Sequence, residues 1–354
     1  MIYQILLIIV IYLIINISIR NKYIDTFINF DTYIDQRVKY YMGSCYYKKI
    51  FINKYEYNKN NFKMNLGIND DLAFTKFYFV HKINYYQLNT LYFKKTFPNY
   101  VNDLNEYLLN KHDNQIFQIA LGDIQNKCNY EGTLGKSRII YDNNIILLKL
   151  NKKRHWNNLF KVRSNDLSYN LKDDKIVWRG ATTGYIEYYL NNKHKNQRYN
   201  LVNKFYNHPN KNIDIGFSQI VQENKELKNY LKDGLSMKDQ LKSKFIISVE
   251  GNDVATGLKW QLLSNSVVFM SKPKIESWLM EGKLIPNYHY ILIKDDFSDL
   301  EEKYNWALKN EDKCVEISRN ATNYMYQFLD TKRENIIINK VFDVYFKNIT
   351  FEKN

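Results

Sequence analysis

The chain has 354 residues, 45% of them hydrophobic and 25% charged, which gives room for two ordinary domains with buried cores and excludes general disorder. Its formal net charge of +14 invites an anionic partner, but the lysines are spread along the whole length among acids, with no basic arm and no Cys/His finger, which argues against specific nucleic-acid recognition. Three scattered cysteines, Cys45, Cys128 and Cys314, exclude a disulfide framework or a zinc site and read as buried free thiols, with a single Cys45–Cys128 bridge as the alternative.

In chain order, Ile2–Ile19 is an apolar run broken only by Gln4, Asn16 and Ser18. Eighteen residues is near the lower limit for crossing about 30 Å of hydrocarbon as a helix. The run lacks the basic start and small-residue cut site of a cleaved signal, so residues 1–20 read as an N-terminal membrane anchor, with a buried first helix as the alternative. Arg20 and Lys22 favour a cytosolic body, whereas the sequons Asn320-Ala-Thr322 and Asn348-Ile-Thr350 favour a lumenal one, and the side stays open. Residues 21–71 are polar, aromatic-rich and weakly periodic.

Apolar runs suited to buried parallel strands follow at Phe74–Val80, Ile116–Leu121, Ile145–Leu150, Lys175–Trp178, Ile213–Phe217, Phe245–Val249, Val267–Met270 and Tyr290–Ile293. Helix-like stretches lie between several of them, including Val101–Leu109, Val254–Leu263 and Leu300–Leu308. Such alternation predicts an α/β chain with parallel sheets flanked by helices. The polar stretch 162–174 is the best internal boundary, dividing the body into 72–170 and 171–320, with a helical tail over 321–354.

Ligands of open parallel sheets collect where strand ends meet loops. Three segments fit that placement. In Lys175–Gly184 a short strand runs into Arg179 and a Gly/Thr loop, where small residues let backbone approach a phosphate and Thr hydroxyls can donate to it; Arg198 lies downstream. In Phe245–Trp260 a strand ends at Glu250, Gly251-Asn252-Asp253 turns, and Asp253 is placed to cap a helix carrying Lys259. In Trp278–Leu300 aromatics stand near carboxylates, a combination suited to a base and a ribose, and Ser298 resembles a helix N-cap. A lone His289 reads as structural. Each segment by itself is also compatible with an ordinary turn.

Together, WRGATTG, DIGFSQ, EGNDVATGLKW, LLSNSVVFM and EGKLIPNYHYILIKDDFSDL resemble glycosyltransferase family 90, densely from Lys175 to Phe328 and loosely from Ile116 to His155. The resemblance implies a GT-B fold: two Rossmann-like domains face each other across a cleft, and the second holds the nucleotide. It also implies a UDP-sugar donor with no separate cofactor, metal-independent transfer of glucose or xylose with inversion, and a glycan, lipid-linked or protein hydroxyl as acceptor. The stretch Phe117–Gln125 places the catalytic base at Asp123, after a strand and a pliable Gly122. Arg198, in Asn196-Gln-Arg-Tyr, matches the family's donor-site arginine, and Arg179, Thr182 and Thr183 sit in the matching loop. Asn252, Asp253, Lys259 and Glu276 complete the expected donor site.

Many relatives carry an arginine where this chain has Gly257, which leaves Lys259, a point charge without a guanidinium fork, as the replacement. No Asp-x-Asp pair occurs, in keeping with a leaving diphosphate stabilised by basic side chains rather than a metal. The rival readings are a catalytically silent sugar-binding or scaffold protein of the same fold and a basic nucleic-acid binder.

Overall fold

The computed structural model describes residues 30–52, 78–109, 111–112, 114–124, 127–184, 197–221 and 225–351. The anchor expected at Ile2–Ile19 lies outside them. Among the described residues no helix is long and apolar enough to cross a membrane.

Thirteen strands are described: β1 (Ile50–Ile52), β2 (Tyr78–Ile83), β3 (Phe117–Gly122), β4 (Thr133–Gly135), β5 (Ser137–Ile139), β6 (Ile145–Leu147), β7 (Asp173–Ala181), β8 (Ile213–Gln219), β9 (Ser243–Ile247), β10 (Val267–Met270), β11 (Ile275–Ser277), β12 (Ile291–Leu292) and β13 (Ile349–Phe351). The first sheet runs β2-β3-β4-β6 and the second β12-β10-β9-β7-β8. Every pairing in the second sheet is parallel. Its strands alternate between two cores. Ile176, Phe245, Ile247, Val267 and Phe269 face one core, and Val177, Ile246, Val268 and Met270 face the other. Burial on both faces is why these strands read as continuous apolar runs.

The first sheet departs from expectation at its edge. β2 pairs antiparallel with β3, from Tyr78 opposite Gly122 to Ile83 opposite Phe117. Apolar content reports burial but not direction, so this edge strand was indistinguishable from its parallel neighbours. The helix expected over Val254–Leu263 contracts to Leu258–Leu262, with Gly257 at its N-cap. Val254, Thr256 and Gly257 start a helix poorly, and the Asp253 carboxylate that would cap it is taken by Lys136 and Ser137. Ser298 is likewise no cap: its N–H donates to Asp296 Oδ1 at 3.0 Å, and Asp299 holds the N-cap position of Leu300–Lys309. All three cysteines are buried and free, so no Cys45–Cys128 bridge forms.

Two features join the sheets. β5, from the first half of the chain, pairs antiparallel with β11 from the second, with Arg138 opposite Glu276. The helix Thr331–Asn348 then returns to the first sheet, where Tyr345 Oη accepts the Gln118 N–H at 2.8 Å and Phe342 packs near Tyr107. This helix also meets the helix spanning 30–42. Glu334, 1% exposed, pairs with Arg37 at 3.0 Å and Lys149 at 3.3 Å and accepts the Trp278 indole N–H. Tyr41 stacks on Trp278 with ring centroids 3.7 Å apart. The tail is therefore part of the first unit's core rather than an appendage.

Glu250, just beyond β9, accepts the N–H groups of Lys274 and Ile275 at 2.9 and 3.0 Å, tying the end of β9 to the approach of β11. Burial pushes its carboxyl up to about 7.

Two stability predictions follow from these contacts. Glu334→Ala leaves Arg37 buried without its counter-charge and is expected to cost about 3–5 kcal/mol in denaturant unfolding; a loss below about 1 kcal/mol would contradict the network's role. For Glu250 the folded value exceeds the ordinary one of 4.5, so its stabilising proton is fully held below pH 4.5 and lost as pH rises through about 7. Glu250→Gln should therefore melt higher than the wild type near pH 8 and no higher at pH 4.5; equal melting at both would refute the burial argument.

Candidate active site

The site forms where the C-terminal end of β3 faces the loops after β7 and β9. Gly122 ends β3 with φ +116°, a region that favours glycine, and its carbonyl accepts the Tyr100 hydroxyl at 3.2 Å. The turn delivers Asp123 into a cleft of about 380 Å³. The facing wall carries Arg179, Gly180, Thr183, Arg198, Gly251, Asn252 and Asp253, and the floor includes Gly257 and Trp260.

Asp123 Oδ1 pairs with the Lys136 ammonium at 2.8 Å, and its Oδ2 accepts from the Asn252 amide at 3.3 Å. Burial alone would raise its pKa, but Lys136, then Arg154 and Asn252, outweigh that and hold it below the ordinary carboxylate value. The same ammonium binds Asp253, which also accepts from Ser137 Oγ at 2.8 Å. Asp253 shifts the other way, raised by burial and by the like charge of Asp123 despite Lys136. Lys136 itself is buried, which opposes its charge, yet Asp253, Tyr100 and Asp123 together raise its pKa above the ordinary lysine value. The arrangement keeps Asp123 ionised at neutral pH and aimed across the cleft.

Arg198 lies against the loop after β9. Its Nε donates to Glu250 O at 2.9 Å, Nη1 to Ala181 O at 3.0 Å and Thr183 Oγ1 at 2.7 Å, and Nη2 to Val249 O at 3.2 Å. A Cβ on Gly251 would stand 2.8 Å from Nη2, so glycine there gives the guanidinium its seat. None of these acceptors is a carboxylate. Burial, and after it the charge of Arg154, lowers the Arg198 pKa to about 10, still protonated at neutral pH.

The remaining expected donor-site residues divide. Thr183 faces the cleft beside Arg198. Thr182 is turned into the body, its hydroxyl donating to Val221 O at 2.8 Å. Arg179 borders the cleft, but its fork is closed on Asp214, both contacts at 2.9 Å, with further bonds to Asp233 O, Trp178 O and Asp214 O. Lys259 lies outside the cleft wall: it is 1% exposed, 3.6 Å from Glu281, and lines a small internal void with Lys136, His155 and Trp156. Glu276 is also away from the cleft, held by Arg138 at 2.8 Å and by the Tyr40 hydroxyl. His289 accepts the Ile285 N–H at 2.8 Å through Nδ1, a structural contact.

Sequence reasoning missed Lys136 and Arg154. Lys136 carries no signal of its own, sitting between Gly135 and Ser137 in a stretch that the sequence does not mark as strand. Arg154 carries none, being one of several bases in Lys152-Lys-Arg-His155.

Residues 150–353 match the model of glycosyl transferase family 90. The chain is 36% identical over 201 residues to the O-glucosyltransferase LpsA of Dichelobacter nodosus, covering 56% of this chain and 57% of that protein. It thus spans little more than half the length of that curated relative. It is also 30% identical over 177 residues to the uncharacterized protein 179R of Invertebrate iridescent virus 6, covering 48% of this chain and 13% of that one. Among solved structures, sucrose-phosphate synthase from Thermosynechococcus elongatus aligns over 51% of each chain at 10% identity with a TM-score of 0.32, too faint a likeness to bear on the fold. The family match covers more than half of the sequence, and the chain belongs to glycosyl transferase family 90.

Proposed function

We propose that this chain is a GT-B-type glycosyltransferase that moves glucose from UDP-glucose to a hydroxyl acceptor with inversion, Asp123 serving as general base. The observation that carries the reading is a cleft in which an ionised carboxylate at the end of one sheet faces Arg198, a guanidinium with no carboxylate hydrogen-bond partner, on the helix Gln197–Phe205 beside the other. Glucose is preferred over xylose because the relative LpsA is named an O-glucosyltransferase. A membrane tether at Ile2–Ile19 belongs to the same proposal.

In this reading the acceptor hydroxyl sits against Asp123. Its oxygen attacks the anomeric carbon from the face opposite the nucleotide while its proton passes to the Asp123 carboxylate. The bond from that carbon to the β-phosphate oxygen breaks with its electron pair staying on the diphosphate, so configuration inverts. Arg198 stabilises the charge that develops there, in a cleft whose walls exclude much of the solvent. Lys136 keeps Asp123 deprotonated so that it can receive the proton. No step in this scheme calls on a metal.

Asp123→Asn preserves size and most hydrogen bonding but cannot take a proton. Its transfer rate is expected to fall about 10²- to 10⁴-fold with UDP affinity unchanged. Near-normal turnover by this variant would remove Asp123 from the mechanism. Arg198→Ala is expected to weaken UDP binding about tenfold to a hundredfold, the worth of a lost charge-assisted bond of about 1.5–3 kcal/mol, read by calorimetry; wild-type affinity would place the diphosphate elsewhere.

A further inference from the structure

Arg154 is not accounted for by any of these contacts. It follows the loop after β6, on the first sheet's side, and its exposed side chain borders the same cleft as Arg198. Its neighbours are committed: Lys152 pairs with Asp103 and Glu106, and His155 is buried. The Arg154 side chain makes no hydrogen bond or ion pair among the described residues, its backbone N–H donating to Asn151 O at 3.1 Å. Its charge is close enough to favour the ionised form of Asp123 and to disfavour the protonated form of Arg198.

Two guanidinium groups therefore oppose each other from the two walls. The carboxylates that these charges feel, Asp123 for Arg154 and Asp253 for Arg198, already share the Lys136 ammonium, which lies 2.8 Å from Asp123. Four of the five Arg198 N–H groups are used on three carbonyls and the Thr183 hydroxyl, leaving one on Nη2. Two like charges lining one cleft, whose neighbouring carboxylates Asp123 and Asp253 already share the Lys136 ammonium, favour an added anion between them. A solvated surface arginine would give Arg154 its exposure, but not its position in the same cleft as a second guanidinium that no carboxylate hydrogen-bonds.

We propose that Arg154 is a second ligand of the donor diphosphate, supplied by the acceptor-side sheet, so that the phosphates bridge the two walls. This rests on the reading that the donor is a nucleoside diphosphate sugar. The phosphate oxygens replace guanidinium–guanidinium repulsion with two charge-assisted contacts. Because one comes from each wall, full diphosphate affinity requires both walls in place.

The test is calorimetry of the full chain with UDP and with uridine, comparing wild type, Arg154→Ala, Arg154→Lys and Arg198→Ala at one ionic strength. Arg154→Ala should bind UDP about tenfold more weakly and uridine as the wild type does, with Lys restoring part of the loss. UDP affinity unchanged in Arg154→Ala but reduced in Arg198→Ala would overturn the inference and leave the proposed function standing; so would unchanged UDP affinity with a raised acceptor KM, which would give Arg154 to the acceptor. An equal loss for uridine would also overturn it, as a distortion of the fold. Failure of the wild type to bind UDP would defeat the donor reading itself.

Discussion

A lysine ammonium buried between two carboxylates is costly unless both partners are held in place, and Lys136 is held by Asp123 and Asp253. The first carboxylate ends a strand of one sheet and the second lies in a loop of the other, so the ammonium fixes the distance between the two units at the cleft. The β5–β11 ladder begins at the next residue and continues the connection, with Arg138 and Glu276 paired across it. Asp123, Asn252, Ser137 and Asp253 are all placed by this one charge. Removing it would leave two carboxylates facing each other, and the cleft would lose both its spacing and the charge that keeps Asp123 ionised.

Two arginines in neighbouring glycine- and threonine-rich surroundings have opposite fates. Arg179 meets Asp214 on the adjacent strand β8 and becomes a strut within the second sheet. Arg198 meets only carbonyls and a hydroxyl, which fix its geometry without neutralising it. Position in a phosphate-like loop therefore does not identify an anion ligand; the absence of a carboxylate partner is the more discriminating feature. Lys259 and Glu276 make the same point. Each was an expected donor-site residue, and each finds a buried partner of opposite charge.

Much of the architecture was legible because its signals are local. β10 falls on the apolar run Val267–Met270 and β8 begins with its run at Ile213. The three-residue strands β4, β5 and β11 were not legible, since nothing in Ser137–Ile139 or Ile275–Ser277 marks them except the partner each finds far along the chain. The short helix Leu258–Leu262 was overestimated for a related reason: the capping side chain that a sequence pattern counts as local is used at long range by Lys136. Family motifs pointed to Asp123 and Arg198, which the fold brings to one cleft, whereas the places of Arg154 and Lys136 depend on how two walls meet, which no single segment encodes.

The return of Thr331–Asn348 to the first unit bears on the order in which the molecule can be made. Arg37 and Glu334 are 297 residues apart, and Asn348 bonds the Cys45 carbonyl across 303. During synthesis the early helix and β1 emerge with their apolar faces open, and their partners arrive only after the whole second sheet has been translated. The nascent first half must therefore wait, incomplete, for its closing helix. High sequence separation of this kind slows folding and prolongs exposure of unpaired surface.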